Sequence, residues 1–409
     1  MHNVLIGQSG GPTAVINASL YGAVSEAIKS KEVDRVYGMI NGIEGFLEGA
    51  VLNFTKFSEG NENDIEKLKT TPASFLGSCR YKLPEDLNDE VYGRLFKEFK
   101  NMDIKTVIYI GGNDSMDTVA KLSAYAEKIS SAISFIGVPK TIDNDLVCTD
   151  HTPGFGSTAK YVATAVREVI LDAGVYTKPV VTIIELMGRH AGWVTASSAL
   201  ARTGYDSNPM LIYLPESSFS VEKFLEDVKK ALKVQNSVVV CISEGIADGE
   251  GKFICEYGSE AAVDGFGHKM LTGGGKVLEE LVKKEIGCKS RSIEFNLPQR
   301  CSAVLASARD IEEAAEAGRF GIKSGLEGKS GCMVAFEREN KSDYRISLKL
   351  VDVSSVCNRE KKFPDEWIIS EGTDISQEFI NYALPLIQGE SCVPFEKGLP
   401  QYMRPAYKL

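Results

Sequence analysis

Residues 138–145 read Val138-Pro-Lys-Thr-Ile-Asp-Asn-Asp145, and this stretch decides the predicted fold. It follows Ser134–Val138, an apolar run typical of a buried strand, and it ends in clustered charge. A second apolar run, Lys105–Ile110, ends in Gly111-Gly-Asn-Asp-Ser115. Ligands of open α/β sheets bind at the carboxyl ends of strands. We therefore expect two neighbouring strand ends, one glycine-rich and one acidic, to place a phosphate site opposite a proton acceptor.

Apolar runs and amphipathic stretches alternate almost throughout the chain, which predicts an α/β protein with mainly parallel sheets. The 409 residues allow about two or three domains of ordinary size. Further strands are predicted at Asn3–Gly7, Arg35–Ile40, Val180–Leu186, Met210–Leu214, Ser237–Ile242, Arg291–Phe295, Gly331–Phe336 and Tyr344–Val351, the last two as a pair.

The composition argues against several classes of protein. A net charge of −10 argues against broad nucleic-acid binding. The nine cysteines are scattered without a C-x-x-C pair, so we expect reduced thiols in a cytoplasmic protein and neither a disulfide framework nor a zinc site. The first predicted strand begins too early for a signal peptide to precede it. No apolar run approaches the roughly 18 residues of a membrane helix, so no membrane partner is expected.

The first βα unit has the form of a phosphate site. Strand Asn3–Gly7 leads through Gln8-Ser-Gly-Gly-Pro-Thr13 into a helix predicted over Ala14–Lys29. Backbone N–H groups at such a turn and at a helix N-terminus bind anions. For a lone glycine pair, an ordinary tight turn is the more common explanation. A second candidate is Arg80 in Phe75-Leu-Gly-Ser-Cys-Arg80, whose guanidinium suits a phosphate; the alternative is a solvated surface arginine.

Two other glycine-rich stretches carry weaker signals. Pro153-Gly-Phe-Gly-Ser-Thr-Ala159 formally matches a dinucleotide fingerprint, but no strand immediately precedes it. We expect the helix that follows, Lys160–Ala173, to present its N-terminus near a phosphate. The segment Gly265–Gly275 is predicted to be a loop, and Gly273-Gly-Gly-Lys276 lacks the pattern of a Walker A phosphate loop.

The side chains that suit catalysis collect at predicted strand ends. They are the cations Arg80, Lys140, Arg189, Arg291 and Arg300, and the acids Asp114, Asp143, Asp145 and Glu244. Five cations at strand ends, together with the glycine loops, suit a phosphorylated substrate and a phosphorylated donor. Phosphoryl transfer requires positioning, charge neutralisation, a metal and a base for the attacking hydroxyl. His151 and His190 are expected to be structural or solvated.

Seven motifs together resemble those of the 6-phosphofructokinases, and the resemblance spans nearly the full length of the chain. Each motif is weak alone, but the seven in this order are highly specific. They are Ser9-Gly-Gly11, Phe75-Leu-Gly-Ser-Cys-Arg80, Gly111-Gly-Asn-Asp-Ser115, Pro139-Lys-Thr-Ile-Asp-Asn-Asp145, Met187-Gly-Arg189, Glu244-Gly245 and Pro298-Gln-Arg300.

The resemblance implies a role for each matched residue. Asp143 would take the proton from the 1-hydroxyl of the sugar, with Thr141 beside it. Other substrate contacts would come from Met187, Gly188 and Arg189 around the sugar phosphate, Glu244 at a sugar hydroxyl, Arg291 and Arg300 at the 6-phosphate, and Gly11 and Arg80 at the donor phosphates. In the family, the arginine that corresponds to Arg291 crosses from a neighbouring subunit, so we expect a homodimer or homotetramer.

Two departures from the ATP-using members resemble the pyrophosphate-dependent branch. Asp114 and Lys140 stand where the ATP-using members have glycines. We expect the Asp114 carboxylate to repel a nucleotide and to hold Lys140 by charge pairing, so that Lys140 stabilises the transferred phosphate. The alternative is that Asp114 caps the following helix and Lys140 is a surface residue.

The resemblance also implies Mg²⁺ as the cofactor, held through Asn113 and Asp145. Asn113 replaces the usual aspartate ligand, and a neutral amide oxygen binds Mg²⁺ more weakly than a carboxylate, so Asp145 would carry more of the metal binding. Alternatively, Asp145 caps the turn after Asp143. Val180 and Leu297 stand where allosteric members have an arginine and a histidine, which indicates a sugar pocket of the non-allosteric type.

The expected architecture is two Rossmann-like, three-layer α/β domains with the active site in the cleft between them. Residues 1–156 and about 300–350 would bind the phosphoryl donor, and residues about 157–299 and part of 351–409 the sugar phosphate. The implied reaction converts pyrophosphate and fructose 6-phosphate reversibly to phosphate and fructose 1,6-bisphosphate. Rivals are ATP as donor, sedoheptulose 7-phosphate as acceptor, and a catalytically silent sugar-phosphate sensor. The intact Asp143 counts against the sensor, which needs no proton acceptor.

Overall fold

The computed structural model describes residues 2–59, 62–258, 273–339 and 343–408. Within these ranges, two larger sheets carry most of the strands. In chain order, these are β1 (His2–Gln8), β2 (Val33–Met39), β3 (Val51–Asn53), β4 (Ile104–Gly111), β5 (Ser134–Pro139), β6 (Val180–Leu186), β7 (Leu211–Tyr213), β8 (Ser237–Ser243), β9 (Lys289–Glu294), β10 (Cys332–Arg338) and β11 (Ile346–Asp352). Short ladders pair Ile368–Ile369 with Asp374–Ile375, and Phe395–Glu396 with Leu399–Pro400.

Helices connect the strands and cover the sheets. The α-helices are α1 (Ile16–Lys29), α2 (Gly42–Leu47), α3 (Phe54–Ser58), α4 (Glu62–Lys67), α5 (Glu90–Asn101), α6 (Asn113–Lys128), α7 (Phe155–Ala173), α8 (Trp193–Ala196), α9 (Val221–Val234), α10 (Gly274–Glu285), α11 (Pro298–Cys301), α12 (Ala308–Leu326) and α13 (Gln377–Ala383). Shorter 3₁₀ turns lie at Leu68–Thr70, Ser197–Ala201, Ile254–Tyr257, Val353–Ser355, Asp365–Trp367, Ser370–Gly372, Leu384–Ile387 and Ala406–Lys408.

The first sheet has the strand order β11-β10-β5-β4-β1-β2-β3. Its central strands are parallel, while β3 and β11 pair antiparallel at the two edges. Helices α1 and α12 pack side by side on one face, and α5 and α6 cover the other face. The close contact of α1 with α12 needs a glycine, because a Cβ atom at Gly22 would lie 1.9 Å from the carbonyl oxygen of Ala315.

The second sheet is fully parallel, in the order β7-β8-β6-β9. One face packs against α7, α8 and α13, and the other against α9 and α10. Every residue of β6 and β8 is buried, as a strand covered on both faces requires. The strands of the second sheet, β6 to β9, are contiguous in the chain, and β10 then pairs with β5 of the first sheet. Later in the chain, α13 packs on the second sheet again.

The predicted α/β class with two three-layer, mainly parallel units is confirmed. The predicted pair of late strands is also confirmed, because β10 and β11 form an antiparallel ladder. The strand at Arg291 starts earlier than predicted, so that Arg291 lies within β9 and not at its beginning. Most of the predicted loop Gly265–Gly275 lies outside the described residues, and its last two residues begin α10. No helix in the described ranges is long and apolar enough to cross a membrane.

Candidate active site

The loop after β5 carries two acids on either side of a buried asparagine. Asn144 is fully buried and has a left-handed backbone, with φ of 54°. Its Nδ2 donates to the hydroxyl of Tyr382 over 2.9 Å, and its Oδ1 accepts from the backbone N–H of Thr152 over 3.1 Å. Asp143 and Asp145 flank this fixed residue and are each half-buried. The contacts of Asn144 with Tyr382 and Thr152 therefore fix the loop, while the two acids remain partly accessible.

The two acids are held in an environment that disfavours their charge. Burial, together with the charge of Asp145, raises the pKa of Asp143 to about 7, although Lys140 opposes the shift. Burial also raises the pKa of Asp145. Within the described residues, Oδ1 of Asp145 is buried without a hydrogen-bond partner. A carboxyl group that titrates near neutral pH is well suited to general-base catalysis.

Lys140 is buried beneath the glycine loop that follows β1. Its side chain is 3% exposed, and Nζ donates to the carbonyl oxygen of Gly11 over 2.5 Å. Burial lowers the pKa of Lys140 to about 8, and the charges of Asp143 and Asp145 oppose this shift. Gly10 has a φ of 78°, which favours glycine. The glycine loop and the acidic loop thus meet at one buried cation.

The structure contradicts the predicted pairing of Asp114 with Lys140. Oδ1 of Asp114 lies 3.3 Å from Nζ of Lys82 instead, and these side chains are 67% and 59% exposed. Asp114 stands on the first turn of α6 at the surface, whereas Lys140 at the end of β5 is buried against Gly11. The alternative, in which Asp114 caps α6 and Lys140 is a surface residue, is wrong as well. Lys140 is buried, and the N-cap of α6 is Gly112.

Asn113 has a partner that the sequence did not reveal. Its Oδ1 accepts from the backbone N–H of Asn358, and its Nδ2 donates to the carbonyl oxygen of Arg359, both over 2.6 Å. The amide therefore holds a distant stretch of backbone near the end of β4. The Asn113 amide thus binds protein backbone through both its oxygen and its nitrogen, which argues against a role as metal ligand.

The sugar side is built from the ends of β6 and β8. Oε1 of Glu244 accepts from the N–H of Gly188 over 3.3 Å. Burial and the charge of Asp143 raise the pKa of Glu244 to about 7, while Arg189 opposes the shift. The N–H of Met187 donates to Oε1 of Gln299 over 3.4 Å. The end of β8 therefore lies close enough to the acidic loop of the first sheet for Asp143 to act on Glu244.

Arg300 lies where the two sides meet, and Arg291 does not. A Cβ atom at Gly11 would lie 3.4 Å from Nη1 of Arg300, and burial lowers the pKa of Arg300, with Arg80 adding to the shift. Arg300 therefore borders the donor loop as well as the acids. Arg291 lies on β9, the edge strand of the second sheet, and Nη1 is 3.3 Å from Oδ2 of Asp172.

Carboxyl groups decide two other predictions, those for the N-terminus of α7 and for His151. The N-terminus of α7 does not face a phosphate site, because the buried carboxylate of Asp310 accepts from the N–H groups of Gly154 and Ser157 at 2.8–3.2 Å. His151 is structural, as predicted. It is 2% exposed, and its two ring nitrogens lie 2.9 Å from carboxylate oxygens of Asp150 and Glu313.

A divalent cation fits beside Asp145. The unpartnered Oδ1 and the raised pKa values of both acids are features that a bound cation would relieve. In the described part of the chain, no three His, Cys, Asp or Glu side chains could hold a metal by themselves. Substrate phosphates and water would complete the coordination, which is how hard divalent cations commonly bind in kinases.

Known proteins resemble this chain over almost its whole length. Residues 3–340 match the phosphofructokinase family. The chain is 40% identical over 408 residues to a pyrophosphate–fructose 6-phosphate 1-phosphotransferase of Xanthomonas campestris, covering 98% of this chain and 95% of the relative. It is 37% identical over 404 residues to the protein of the same name from Halomonas elongata, with 98% and 95% coverage. The crystal structure of a pyrophosphate-dependent phosphofructokinase from Nitrosospira multiformis matches with a TM-score of 0.89 and 35% identity, over 98% of this chain and 96% of that one.

Proposed function

The chain belongs to the phosphofructokinase family, and we propose that it transfers a phosphoryl group from pyrophosphate to the 1-hydroxyl of fructose 6-phosphate. The products are phosphate and fructose 1,6-bisphosphate, and the reaction runs in both directions. The observation that carries the proposal is the position of Asp143, an acid with a pKa of about 7 between buried Lys140 on the donor side and Glu244 on the sugar side.

Asp143 acts as the general base. Its carboxylate takes the proton of the 1-hydroxyl while the sugar oxygen forms a bond to one phosphorus of pyrophosphate. The bridging P–O bond breaks, and phosphate leaves with the electron pair. In the reverse direction, protonated Asp143 returns the proton to the sugar oxygen. Burial raises the pKa of Asp143, which makes its carboxylate a stronger proton acceptor than that of an exposed aspartate.

Lys140 and the glycine loop bind the donor. The ammonium lies against Gly11 and near both acids, so it offers a compact cation where negative charge develops on the transferred and leaving phosphates. Arg80 and Arg300 add positive charge around the same loop, and the charge of Arg80 adds to the lowering of the pKa of Arg300 by burial. Thr141, whose hydroxyl accepts from the N–H of Asp143 over 3.1 Å, holds the base in place beside the sugar.

On the sugar side, Glu244 receives a sugar hydroxyl, while Met187, Gly188 and Arg189 surround the 6-phosphate. Arg291 completes the phosphate site of a neighbouring subunit. Its place on an edge strand, away from the Arg189 loop of its own chain, supports that assignment. The enzyme is accordingly a homodimer or homotetramer, and the first sheet with its helices binds the donor while the second binds the sugar phosphate.

The divalent metal is Mg²⁺, and Asp145 is its protein ligand. When bound, the metal neutralises charge on the pyrophosphate oxygens. The buried, unpartnered Oδ1 of Asp145 supports this role. Asp143 keeps its role as base, and its Oδ2 accepts from the hydroxyl of Thr141 over 3.5 Å.

A single kinetic experiment separates the candidate functions. The purified chain is assayed with pyrophosphate or ATP as donor and with fructose 6-phosphate or sedoheptulose 7-phosphate as acceptor. Pyrophosphate with fructose 6-phosphate should give the highest kcat/KM. A higher kcat/KM with ATP would make ATP the donor, and a higher kcat/KM with sedoheptulose 7-phosphate would make that sugar phosphate the acceptor. Binding of fructose 6-phosphate without phosphate release from pyrophosphate would identify a sensor.

A further inference from the structure

Residues 358–363, here called the bridging segment, leave the first sheet after β11. The segment begins at the donor side of the cleft, where the N–H of Asn358 and the carbonyl oxygen of Arg359 bind the Asn113 amide over 2.6 Å each. Asn358 has a left-handed backbone, with φ of 60°. These contacts fix the first residues of the bridging segment to the start of α6.

The bridging segment ends at the sugar side. Oε1 of Glu216 accepts from the N–H of Phe363 over 3.0 Å and from the N–H of Gly192 over 2.9 Å. Gly192 closes the loop that begins with the Met187 motif after β6. The Phe363 ring is buried and packs edge-on against Trp193, with a centroid distance of 5.1 Å. One short stretch of chain therefore joins the loop after β4 to the loop after β6.

Lys361 lies in the middle of the bridging segment and binds the acidic loop. Its N–H donates to the carbonyl oxygen of Asp145 over 2.6 Å. Its Nζ donates to Oδ1 of Asn144 over 3.3 Å and to the carbonyl oxygens of Thr149 and Asp150 over 3.3 Å and 2.8 Å. An ammonium has three N–H groups, so each has an acceptor within the residues that follow Asp143.

We propose that Lys361 is a positioning residue for phosphoryl transfer. It holds Asn144 in place, and with it the two acids on either side. This inference rests on the function proposed above. Asn144 is bound from one side by Lys361 and from the other by Tyr382, so its backbone has little freedom. Asp143 and Asp145 are its chain neighbours, and any rotation of Asn144 moves both. Displacing a catalytic group by about 1 Å commonly costs on the order of 100-fold in rate.

A purely structural lysine would behave differently. The ammonium also lies 5.0 Å from the centre of the Trp193 ring, so Lys361 contributes to packing between the two sides of the cleft. Loss of packing alone would lower stability and leave the turnover of the remaining folded enzyme unchanged. Loss of positioning would lower kcat while the substrates still bind, because within the described residues Lys361 forms no hydrogen bond with Arg189 or Gly11.

The test compares Lys361→Met with Lys362→Met, which removes the exposed neighbouring lysine of the same segment. Methionine keeps most of the side-chain volume and removes the three hydrogen bonds of the ammonium, while the backbone bond to Asp145 remains. Lys361→Met should lower kcat about 10- to 100-fold in both directions and change each KM less than about threefold. Lys362→Met should stay within about twofold of the wild type in both parameters. Circular dichroism and thermal unfolding establish that each variant is folded at the assay temperature.

Tyr382→Phe provides a second route to the same asparagine and covers the case in which Lys361→Met does not fold. It removes only the hydroxyl that Asn144 binds, so it should also lower kcat with little change in KM. In the double variant, kcat should fall by less than the product of the two single effects, because both act on Asn144. If folded Lys361→Met or Tyr382→Phe turns over within twofold of the wild type, the inference is wrong. A wild-type enzyme without pyrophosphate activity would instead overturn the proposed function.

Discussion

Lys140 donates a hydrogen bond to the carbonyl oxygen of Gly11 across the end of an intervening strand. The two residues follow β5 and β1, and β4 lies between these strands in the sheet. The backbone N–H of Lys140 also donates to Gly111, at the end of β4, over 2.9 Å. One lysine therefore ties three neighbouring strand ends together at the point where the donor is expected to bind.

Lys140→Met should lower turnover with pyrophosphate by about 10²–10³-fold, the loss expected when one preorganised charge-stabilising group is removed. Steady-state kinetics with varied pyrophosphate and fructose 6-phosphate measure the effect. Lys105→Met, which removes an exposed lysine near Asp103, serves as the control and should be close to wild type. Full pyrophosphate activity in folded Lys140→Met would remove this lysine from the mechanism.

Asp114→Gly should admit ATP at a low rate and leave pyrophosphate turnover within about threefold of the wild type. We expect the carboxylate to repel a nucleotide through its charge. It does not hold Lys140, and its exposed pair with Lys82 contributes little stability. Activity with both donors is measured on the same preparation. A large loss of pyrophosphate activity would restore a direct catalytic role for Asp114.

Asp143→Asn should lower turnover by about 10²–10⁴-fold in both directions, because the amide cannot accept the sugar proton. Binding of fructose 6-phosphate, measured by calorimetry, should remain nearly unchanged. Asp103→Asn changes an exposed acid that already has a left-handed backbone, which asparagine tolerates, and is the matched control. Near-normal turnover in Asp143→Asn would exclude Asp143 as the base.

Arg291 should act across subunits. Arg291→Ala and Asp143→Asn chains are each expected to be nearly inactive alone, since one lacks a phosphate ligand and the other lacks the base. Mixed oligomers should regain activity, because some sites would then receive both intact residues. Differently tagged chains allow the mixed oligomers to be purified and assayed. No recovery in verified mixed oligomers would mean that each site is built from one chain.

His151 should stabilise the fold in a pH-dependent way. Burial lowers the pKa of His151, but the hydrogen bonds to Asp150 and Glu313 outweigh this effect and raise it to about 9. The contribution is therefore fully present below the unfolded pKa of about 6.5 and is lost as pH rises through about 9.

The measurement is the free energy of unfolding in urea for the wild type and His151→Gln at pH 6 and at pH 10. The advantage of the wild type should shrink by an amount on the order of 3 kcal/mol between these conditions. Arg338 also pairs with Asp150, and because it is present in both proteins its contribution cancels in this comparison. A difference between the two proteins that does not vary with pH would contradict a charged His151.

The sequence predicted those parts of the fold and site that depend on local pattern. The apolar run Val180–Leu186 could be assigned as a strand because every side chain except that of Glu185 is apolar or small enough for burial. The Glu185 carboxyl group accepts hydrogen bonds from the N–H groups of Gly273 and Gly275. The acidic loop could be placed because charge follows directly after a strand. Local pattern thus identified Asp143 and Lys140 as neighbours at one edge of the sheet.

The remaining features depend on contacts between residues far apart in the chain. Nothing near Asn113 indicates that its amide binds residues 358 and 359, and nothing near Asn144 indicates Tyr382. The orientation of Asp114 also follows from the helical turn on which it stands, which the sequence places only within a few residues. Gln299 was part of a motif, but its contact with Met187 required the second sheet to be assembled.

The late return of the chain to the first sheet affects the order of folding during synthesis. Cys332 on β10 pairs with Ile136 on β5, so the first sheet remains open at this edge until residues beyond 332 have emerged from the ribosome. The strands of the second sheet are contiguous from Val180 to Glu294 and need no later strand. The second sheet can therefore be completed while the unfinished first sheet still exposes β5 as an unpaired edge strand. We expect nascent chains to be most vulnerable to aggregation during that interval.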